Sequence, residues 1–118
     1  EETMIRENWN LNNYQMQARK FAVYPERASI TYPALGLAGE AGEVADKVKR
    51  IHRGDYADRQ DDSGFKAEIA KEIGDVLWYC ANLAEDLGYT LQQIAEMNIY
   101  KLKCRKTKGT IVGSGDNR

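Results

Sequence analysis

The sequence contains few of the residues that form disulfides or bind soft metal ions. Its 118 residues include two cysteines, one histidine and two prolines, and Cys80 and Cys104 form no CxxC pair. A structural zinc site needs four cysteine or histidine ligands at set spacings, which argues against such a site here. The composition favours two reduced cysteines over a disulfide. Any metal ion must then be held mainly by oxygen atoms.

The chain also lacks a long apolar run and a charge excess of either sign. No stretch approaches the ~20 apolar residues of a membrane span, and no signal-peptide pattern opens the chain. Seventeen Lys and Arg balance eighteen Asp and Glu, whereas nucleic-acid-binding domains normally carry a basic excess. With 42% hydrophobic and 30% charged residues, the composition is typical of a globular protein. We expect a cytoplasmic protein with no membrane and no nucleic-acid polymer as partner.

Hydrophobic periodicity predicts four helices and no strand. The spacing of apolar residues indicates helices over about 11–23, 33–53, 64–87 and 91–106. Pro25 should end the first helix, Gly54 the second and Gly88 the third. Thr90 and Gln93 form a capping box that opens the fourth. The pattern predicts a single all-α domain over 1–118, most simply a four-helix bundle.

The segments between and beyond these helices are polar or rich in glycine. Residues 1–10 form an N-terminal arm, 54–63 a polar loop with Asp62 or Ser63 as cap of the third helix, and 108–118 a Gly-rich tail. None of them has helical or strand periodicity. We expect them to be irregular.

Two helices carry a pair of acidic residues beside their apolar face. At about 100° per residue, Glu40 lies roughly 60° and Glu43 roughly 120° from the centre of the second helix's apolar stripe. Glu72 and Asp75 lie at matching angles on the third helix, and Lys47 falls between the first pair. The two apolar stripes are Leu37, Ala41, Val44, Val48 and Ile51, and Ile69, Ile73, Val76, Cys80, Leu83 and Leu87.

If these two helices pack antiparallel, the four carboxylates converge on one spot. Like charges so close repel one another, and a divalent cation would relieve the repulsion. Carboxylate oxygens select Mg²⁺, with Mn²⁺ as the alternative. The other interpretation is that these acids are ordinary residues of the helix surface. A di-iron centre needs a Glu-x-x-His on each of two helices, and the single His52 lies in no such motif.

The fourth helix carries polar and basic residues on one narrow face. Ile94, Asn98, Lys101 and Arg105 follow at i, i+4, i+7 and i+11. One interpretation is a solvated helix end. The other is a basic wall that faces the acidic pairs, which together would suit polyphosphate chemistry.

Three segments of the chain resemble the MazG-like nucleoside triphosphate pyrophosphohydrolases of the all-α NTP pyrophosphatase superfamily. They are LGLAGEAGEVADKVKR at 35–50, EIGDVLWYCANLAEDLG at 72–88 and NIYKLKCR at 98–105. The resemblance implies hydrolysis of a nucleoside triphosphate between its α and β phosphates, with a role in sanitising the nucleotide pool. It also implies a homodimer or homotetramer that completes the fold and places sites near subunit boundaries.

The resemblance also implies roles for individual residues. Glu40, Glu43, Glu72 and Asp75 correspond to the catalytic magnesium ligands. One carboxylate, by analogy Glu43, would accept a proton from water. The residues that correspond to partners of the phosphates or of the metal's outer ligands are Lys47, Asn98, Lys101 and Arg105. In the tail, Asp116 and Arg118 would contact phosphates if it folds over them, the alternative being a disordered C-terminus.

Recognition of the base is less defined by the sequence. Trp78 points away from the apolar stripe of its helix and Trp9 precedes the first helix, so either is a candidate for stacking on a base. For Trp78 we favour a place in a subunit interface, where tryptophan is enriched. Tyr79 and Asn82 flank the acidic residues as candidate partners of the sugar or base.

Two other functions remain open at this stage. One is a pyrophosphatase for a special nucleotide, of the dUTP or phosphoribosyl-ATP type. The other is a helical module that binds nucleotides without catalysis. Retention of all four acids argues against the second alternative.

Overall fold

A computed structural model describes residues 9–54 and 63–118 of the chain. These parts form α1 (Leu11–Arg19), α2 (Thr31–Arg53), α3 (Ser63–Leu87), α4 (Leu91–Lys108) and a 3-10 turn (Glu26–Ala28). They contain no strand, so the predicted all-α class and four helices are confirmed. None of the helices in these ranges is both long and apolar enough to cross a membrane.

The predicted signals for helix ends are confirmed at three places. Gly54 and Gly88 take left-handed backbone angles, with φ of 101° and 83°, which glycine adopts at little cost. Thr90 caps α4 through its side chain while Gln93 bonds back to the Thr90 amide, which completes the capping box. The predicted loop 54–63 falls mainly on 55–62, and Asp62 with it, outside the described residues.

Three helix boundaries differ from the prediction by two residues or more. α2 begins at Thr31 instead of residue 33. α1 ends at Arg19 instead of residue 23, and the side chains of Phe21 and Val23 are 71% and 93% exposed. Because these side chains gain nothing from burial, a further helical turn brings no packing energy. α4 continues two residues further than predicted, to Lys108, and the tail therefore starts at Gly109.

α3 is the central helix of the fold and packs against the other three. The buried cluster consists of small or medium apolar side chains, namely Ala18, Ala81, Ala84 and Leu91. Gln15 is buried beside it, accepting the amide proton of Leu91 and donating to the carbonyl of Tyr89, at 2.8 and 3.0 Å. These bonds fix α1 to the corner between α3 and α4.

The predicted apolar stripes of α2 and α3 are only partly buried. Val48, Ile73 and Leu87 are 40%, 55% and 50% exposed. The expectation of two continuous core faces is therefore wrong for the single chain. α2 has no helix other than α3 as a major packing partner among the described residues, so one side of each stripe faces solvent.

A strained turn leads into α2. Ile30 has φ 70° and ψ −55°, an uncommon conformation for a β-branched residue. The amide of Thr31 donates to the carbonyl of Ser29 across this turn at 2.7 Å, as in a γ-turn. The Ile30 amide donates to Asp86 of α3 at 2.9 Å. This contact with α3 holds the first residues of α2 in place.

Candidate active site

The site is built on facing ridges of α2 and α3. On α2, Tyr32, Gly36, Glu40 and Lys47 recur at helical spacing and lie within an arc of about 80°. The two helices run antiparallel. Going along the groove, the interacting pairs are Lys47 with Glu72, Glu40 with Glu72 and Asp75, Gly36 with Tyr79, and Ile30 with Asp86.

Three of the predicted acids come together in the middle of this groove. Carboxylate oxygens of Glu40, Glu72 and Asp75 lie within 4.8 Å of one another. Glu40 and Glu72 are half-buried, while Asp75 is exposed. The predicted antiparallel convergence of the two helices therefore exists for three of the four acids.

The pKa of the Glu40 carboxyl is raised above its ordinary value. Partial burial is the largest cause, followed by the charges of Asp75, Glu72 and Glu43, and then by a hydrogen bond with Glu72. Both burial and neighbouring negative charges disfavour the ionised form. The groove thus holds more negative charge than the surrounding side chains compensate.

The fourth acid and the nearest lysine lie at the edge of the cluster. Glu43 is exposed, and it acts on Glu40 through its charge without joining the three-oxygen group. The Lys47 ammonium lies 3.9 Å from a carboxylate oxygen of Glu72. Lys47 therefore offsets part of the cluster's charge on the side away from the tyrosines.

The donor set fits a hard divalent cation. Two oxygens bound to one Mg²⁺ ion are about 3.0 Å apart when adjacent and about 4.2 Å apart when opposite, because each Mg–O bond is about 2.1 Å long. The three oxygens all lie within 4.8 Å of one another, which is close to this spacing. All three donors are carboxylates, which hard cations prefer.

Tyr79 lies one helical turn from Asp75 and lines the same groove. Its ring covers Gly36 so closely that a methyl group at that glycine would lie 2.1 Å from a ring carbon. Burial is the largest cause of a raised Tyr79 pKa, followed by a hydrogen bond with Tyr32 and by nearby charges that include Glu40 and Asp75. Tyr79 is thus next to the acidic cluster.

Trp78 and Asn82 face the other way, toward α1. The indole N–H of Trp78 donates to the carbonyl of Ala18 at 3.2 Å, and its ring meets Tyr79 edge-on. Asn82 is buried, accepts from Arg19 at 3.1 Å and donates to the Trp78 carbonyl. In this chain both side chains support the helix that carries Tyr79.

The predicted basic residues of α4 contact the C-terminal tail. Lys101 and Arg105 each lie 3.1 Å from the same carboxylate oxygen of Asp116. Lys101 and then Arg105 hold the pKa of Asp116 below its ordinary value. Arg118 donates to carbonyls of the tail itself, at Thr110 and Ile111. The described contacts therefore order the tail against α4.

Asn98 is exposed on the same face of α4, one turn before Lys101. Arg105 is buried, and its Nε has no hydrogen-bond partner within the described residues. The contacts described for Lys101 and Arg105 are with the tail, and none joins them to Glu40, Glu72 or Asp75. Within one chain, the structure does not bring these two groups of charges together.

The sequence analysis did not identify two further tyrosines, Tyr24 and Tyr32, which lie at the end of the groove away from Lys47. The rings of Tyr24 and Tyr32 are stacked, with centroids 4.8 Å apart, and Tyr32 lies 6.2 Å from Tyr79. Tyr32 precedes Gly36 and Glu40 by one and two helical turns, so its spacing gave a signal. Tyr24 lies outside the helices, and no sequence pattern pointed to it.

Comparisons with known proteins match most of the chain. The sequence model of the MazG nucleotide pyrophosphohydrolase domain matches residues 30–110. The Gene 37 protein of Mycobacterium phage L5 is 41% identical over 112 residues, which cover 89% of this chain and 96% of the phage protein. No solved structure gives a significant match.

Proposed function

Because this chain belongs to the MazG nucleotide pyrophosphohydrolase family, we propose that it hydrolyses nucleoside or deoxynucleoside triphosphates between the α and β phosphates. The products are the monophosphate and pyrophosphate, and the role is to sanitise the nucleotide pool. The observation that carries this proposal is the group of three carboxylates, Glu40, Glu72 and Asp75, on facing helices.

In this proposal, Glu40, Glu72 and Asp75 hold Mg²⁺, with Mn²⁺ as a substitute. When bound, the cation neutralises phosphate charge and lowers the pKa of a coordinated water. Glu43 is exposed and lies outside the three-oxygen group, so it is free to accept the proton of the attacking water. The water oxygen bonds to the α-phosphorus as the bond to the bridging oxygen breaks. Lys47 offsets charge on the phosphates from its position beside Glu72.

We also propose that the active protein is a homodimer or homotetramer. The buried core of the single chain is small, while α4 exposes large apolar side chains: Met97 is 55%, Ile99 50% and Tyr100 72% exposed. A second copy packed on this surface would bury them. In such an assembly, Asn98 and Lys101 of one copy face the acidic cluster of another. Arg105, which is buried, and Arg118 act by ordering the tail. Light scattering of the purified protein measures this oligomeric state.

A product assay tests the proposed reaction. The protein is incubated with Mg²⁺ and each of the eight standard triphosphates, dUTP and phosphoribosyl-ATP, and monophosphate, diphosphate, pyrophosphate and phosphate are resolved. We expect monophosphate and pyrophosphate from the wild type and none from Glu72→Gln. Glu26→Gln, a change of the same type on the exposed 3-10 turn, should keep the activity. Diphosphate and phosphate as products, or no turnover of any substrate, would contradict the proposal.

A further inference from the structure

A row of tyrosines continues the groove beyond the acidic cluster. Tyr79 lies beside Glu40 and Asp75, Tyr32 follows at 6.2 Å, and Tyr24 is stacked behind Tyr32 at 4.8 Å with an interplanar angle of 19°. Tyr32 is two helical turns from Glu40, about 12 Å along the axis of α2. The groove therefore changes from anionic to aromatic along its length.

Tyr24 is fixed by contacts with Arg19 and Asp86. Its hydroxyl donates to Asp86 at 2.8 Å and accepts from Arg19 at 2.9 Å. The Arg19 guanidinium also lies 5.7 Å from the centre of the Tyr24 ring, within the range of a cation–π contact. The side chain of Asp86 is 1% exposed and that of Arg19 is 41% exposed, so the carboxylate part of this support is buried.

Tyr32, by contrast, is available to a ligand. It is 45% exposed, although an aromatic ring of its size would normally be buried in a core. The stack on Tyr24 fixes the ring, which limits the entropy it would lose on binding. The strained turn at Ile30, anchored on Asp86, sets its place at the start of α2.

The groups of a nucleotide follow one another in the same order as the two parts of the groove, with the phosphates at the acidic cluster and the base at the tyrosines. The phosphates need cations, such as a metal ion held by carboxylates, and the base presents a flat aromatic face beyond the sugar. We infer that Tyr32, supported by Tyr24, is the stacking platform for the base of the substrate. This inference rests on the proposed function, because the acidic cluster must receive the phosphates.

Stacking on an aromatic side chain tolerates every base, so this platform predicts breadth in substrate choice. Removing such a ring weakens binding of a base by about 5- to 150-fold. The affinity for a compound that has phosphates but no base should not change when the ring is removed. A loss of affinity for the nucleotide alone therefore indicates a stacking platform, whereas a loss for both compounds indicates a structural role.

The test compares Tyr32→Leu, Tyr32→Phe and Tyr89→Leu in the full chain. Tyr89 is a matched control because it is also 45% exposed and its described contacts use its backbone. Calorimetry with Mg²⁺ measures the affinity for α,β-methylene ATP, which resists α–β cleavage, and for inorganic tripolyphosphate. Thermal melting and circular dichroism check that each variant is folded.

We expect Tyr32→Leu to bind the nucleotide analogue at least about fivefold more weakly, with unchanged affinity for tripolyphosphate. Tyr32→Phe and Tyr89→Leu should resemble the wild type. Equal losses for both probes, no loss for either, or no binding of the analogue by the wild type would overturn the platform. Nucleotide binding that depends on Tyr32 without hydrolysis would support the platform and contradict only the proposed reaction.

Discussion

The carboxyl groups of Glu40 on α2 and Glu72 on α3 face each other across the groove that the two helices form, with oxygens within 4.8 Å of each other. Two ionised carboxylates at this distance repel each other, and this repulsion adds to burial, the largest cause, in raising the pKa of Glu40. The two helices that make the most extensive contact in the fold therefore meet at a point where charge opposes their association. A cation or a proton relieves this opposition.

Glu40→Gln should raise the melting temperature of the metal-free protein at neutral pH. The amide keeps the size of the side chain but removes one of the repelling charges. The same variant should lose most of the stabilisation that Mg²⁺ gives the wild type, because a ligand oxygen has lost its charge. Thermal melts with and without Mg²⁺ measure both effects, with Glu26→Gln as the control.

The pH dependence of this effect follows from the raised pKa of Glu40. A group whose pKa is raised in the folded state stabilises the fold below its unfolded pKa, and this stabilisation is lost as pH rises through the folded pKa. Without metal, the difference in melting temperature between Glu40→Gln and the wild type should therefore decrease as pH falls from neutral toward about 4. A difference that stays constant across this range would contradict the repulsion.

Asp86→Asn should destabilise the protein by about 1.5–3 kcal/mol near neutral pH, the usual contribution of hydrogen bonds to a charged group. Burial alone would raise the pKa of Asp86, but hydrogen bonds from the Ile30 amide, Tyr24 and Arg19 together lower it. A lowered pKa gives stability above the unfolded value of about 3.9 that is lost as pH falls through the folded pKa.

Urea unfolding of Asp86→Asn and the wild type between pH 3 and 7 measures this effect. The difference between them should be largest at neutral pH and decrease below about pH 4. Because Asp86 anchors Tyr24 and the turn at Ile30, nucleotide affinity should fall as well. Unchanged stability at pH 7 would show that the three bonds contribute little.

The sequence predicted the helices and the acidic ridges more fully than the far end of the groove. Helix periodicity and the glycines at 54 and 88 determine where the ridges begin and end, so Glu40, Glu72 and Asp75 followed from local spacing. Tyr24 and Asp86 are 62 positions apart, and their contact depends on how the chain between α1 and α2 turns back. No local pattern encodes such a contact.

The apolar stripes of α2 and α3 were predicted correctly as apolar faces, but they are only partly buried in the single chain. Periodicity shows which side of a helix is apolar, but not whether another helix covers it. Ile73 and Leu87 have the spacing of core residues and are about half exposed. Similarly, the pattern on α4 placed Lys101 and Arg105 on one face, but their pairing with Asp116 depends on the path of the tail.

Gly36→Ala should cost about 1–3 kcal/mol of stability, the usual cost of overpacking, and should reduce hydrolysis. The added methyl group would lie 2.1 Å from the Tyr79 ring, which must then move away from the acidic cluster. Gly39→Ala is the matched control on the same helix, because nothing lies within 4 Å of its added methyl group.

In a helix interior, alanine is favoured over glycine by about 0.5–1 kcal/mol. Gly39→Ala should therefore stabilise the protein slightly while Gly36→Ala destabilises it. Chemical denaturation and the rate of triphosphate hydrolysis are measured for both variants. Similar behaviour of the two variants would indicate that Tyr79 moves aside freely.

Mixed oligomers test whether one site uses residues from two copies. Lys101→Ala should lower hydrolysis by about 100-fold if Lys101 stabilises phosphate charge in the transition state, and Glu72→Gln should abolish it. When both variants are co-expressed with different tags and purified together, a shared site regains activity, because one acidic cluster is intact and faces an intact lysine.

Glu72→Gln paired with Glu40→Gln is the control, since every cluster then lacks one carboxylate. Recovery in the first pair alone supports a site that spans two copies. Without recovery in either pair, Lys101 must act within its own chain or on the tail through Asp116.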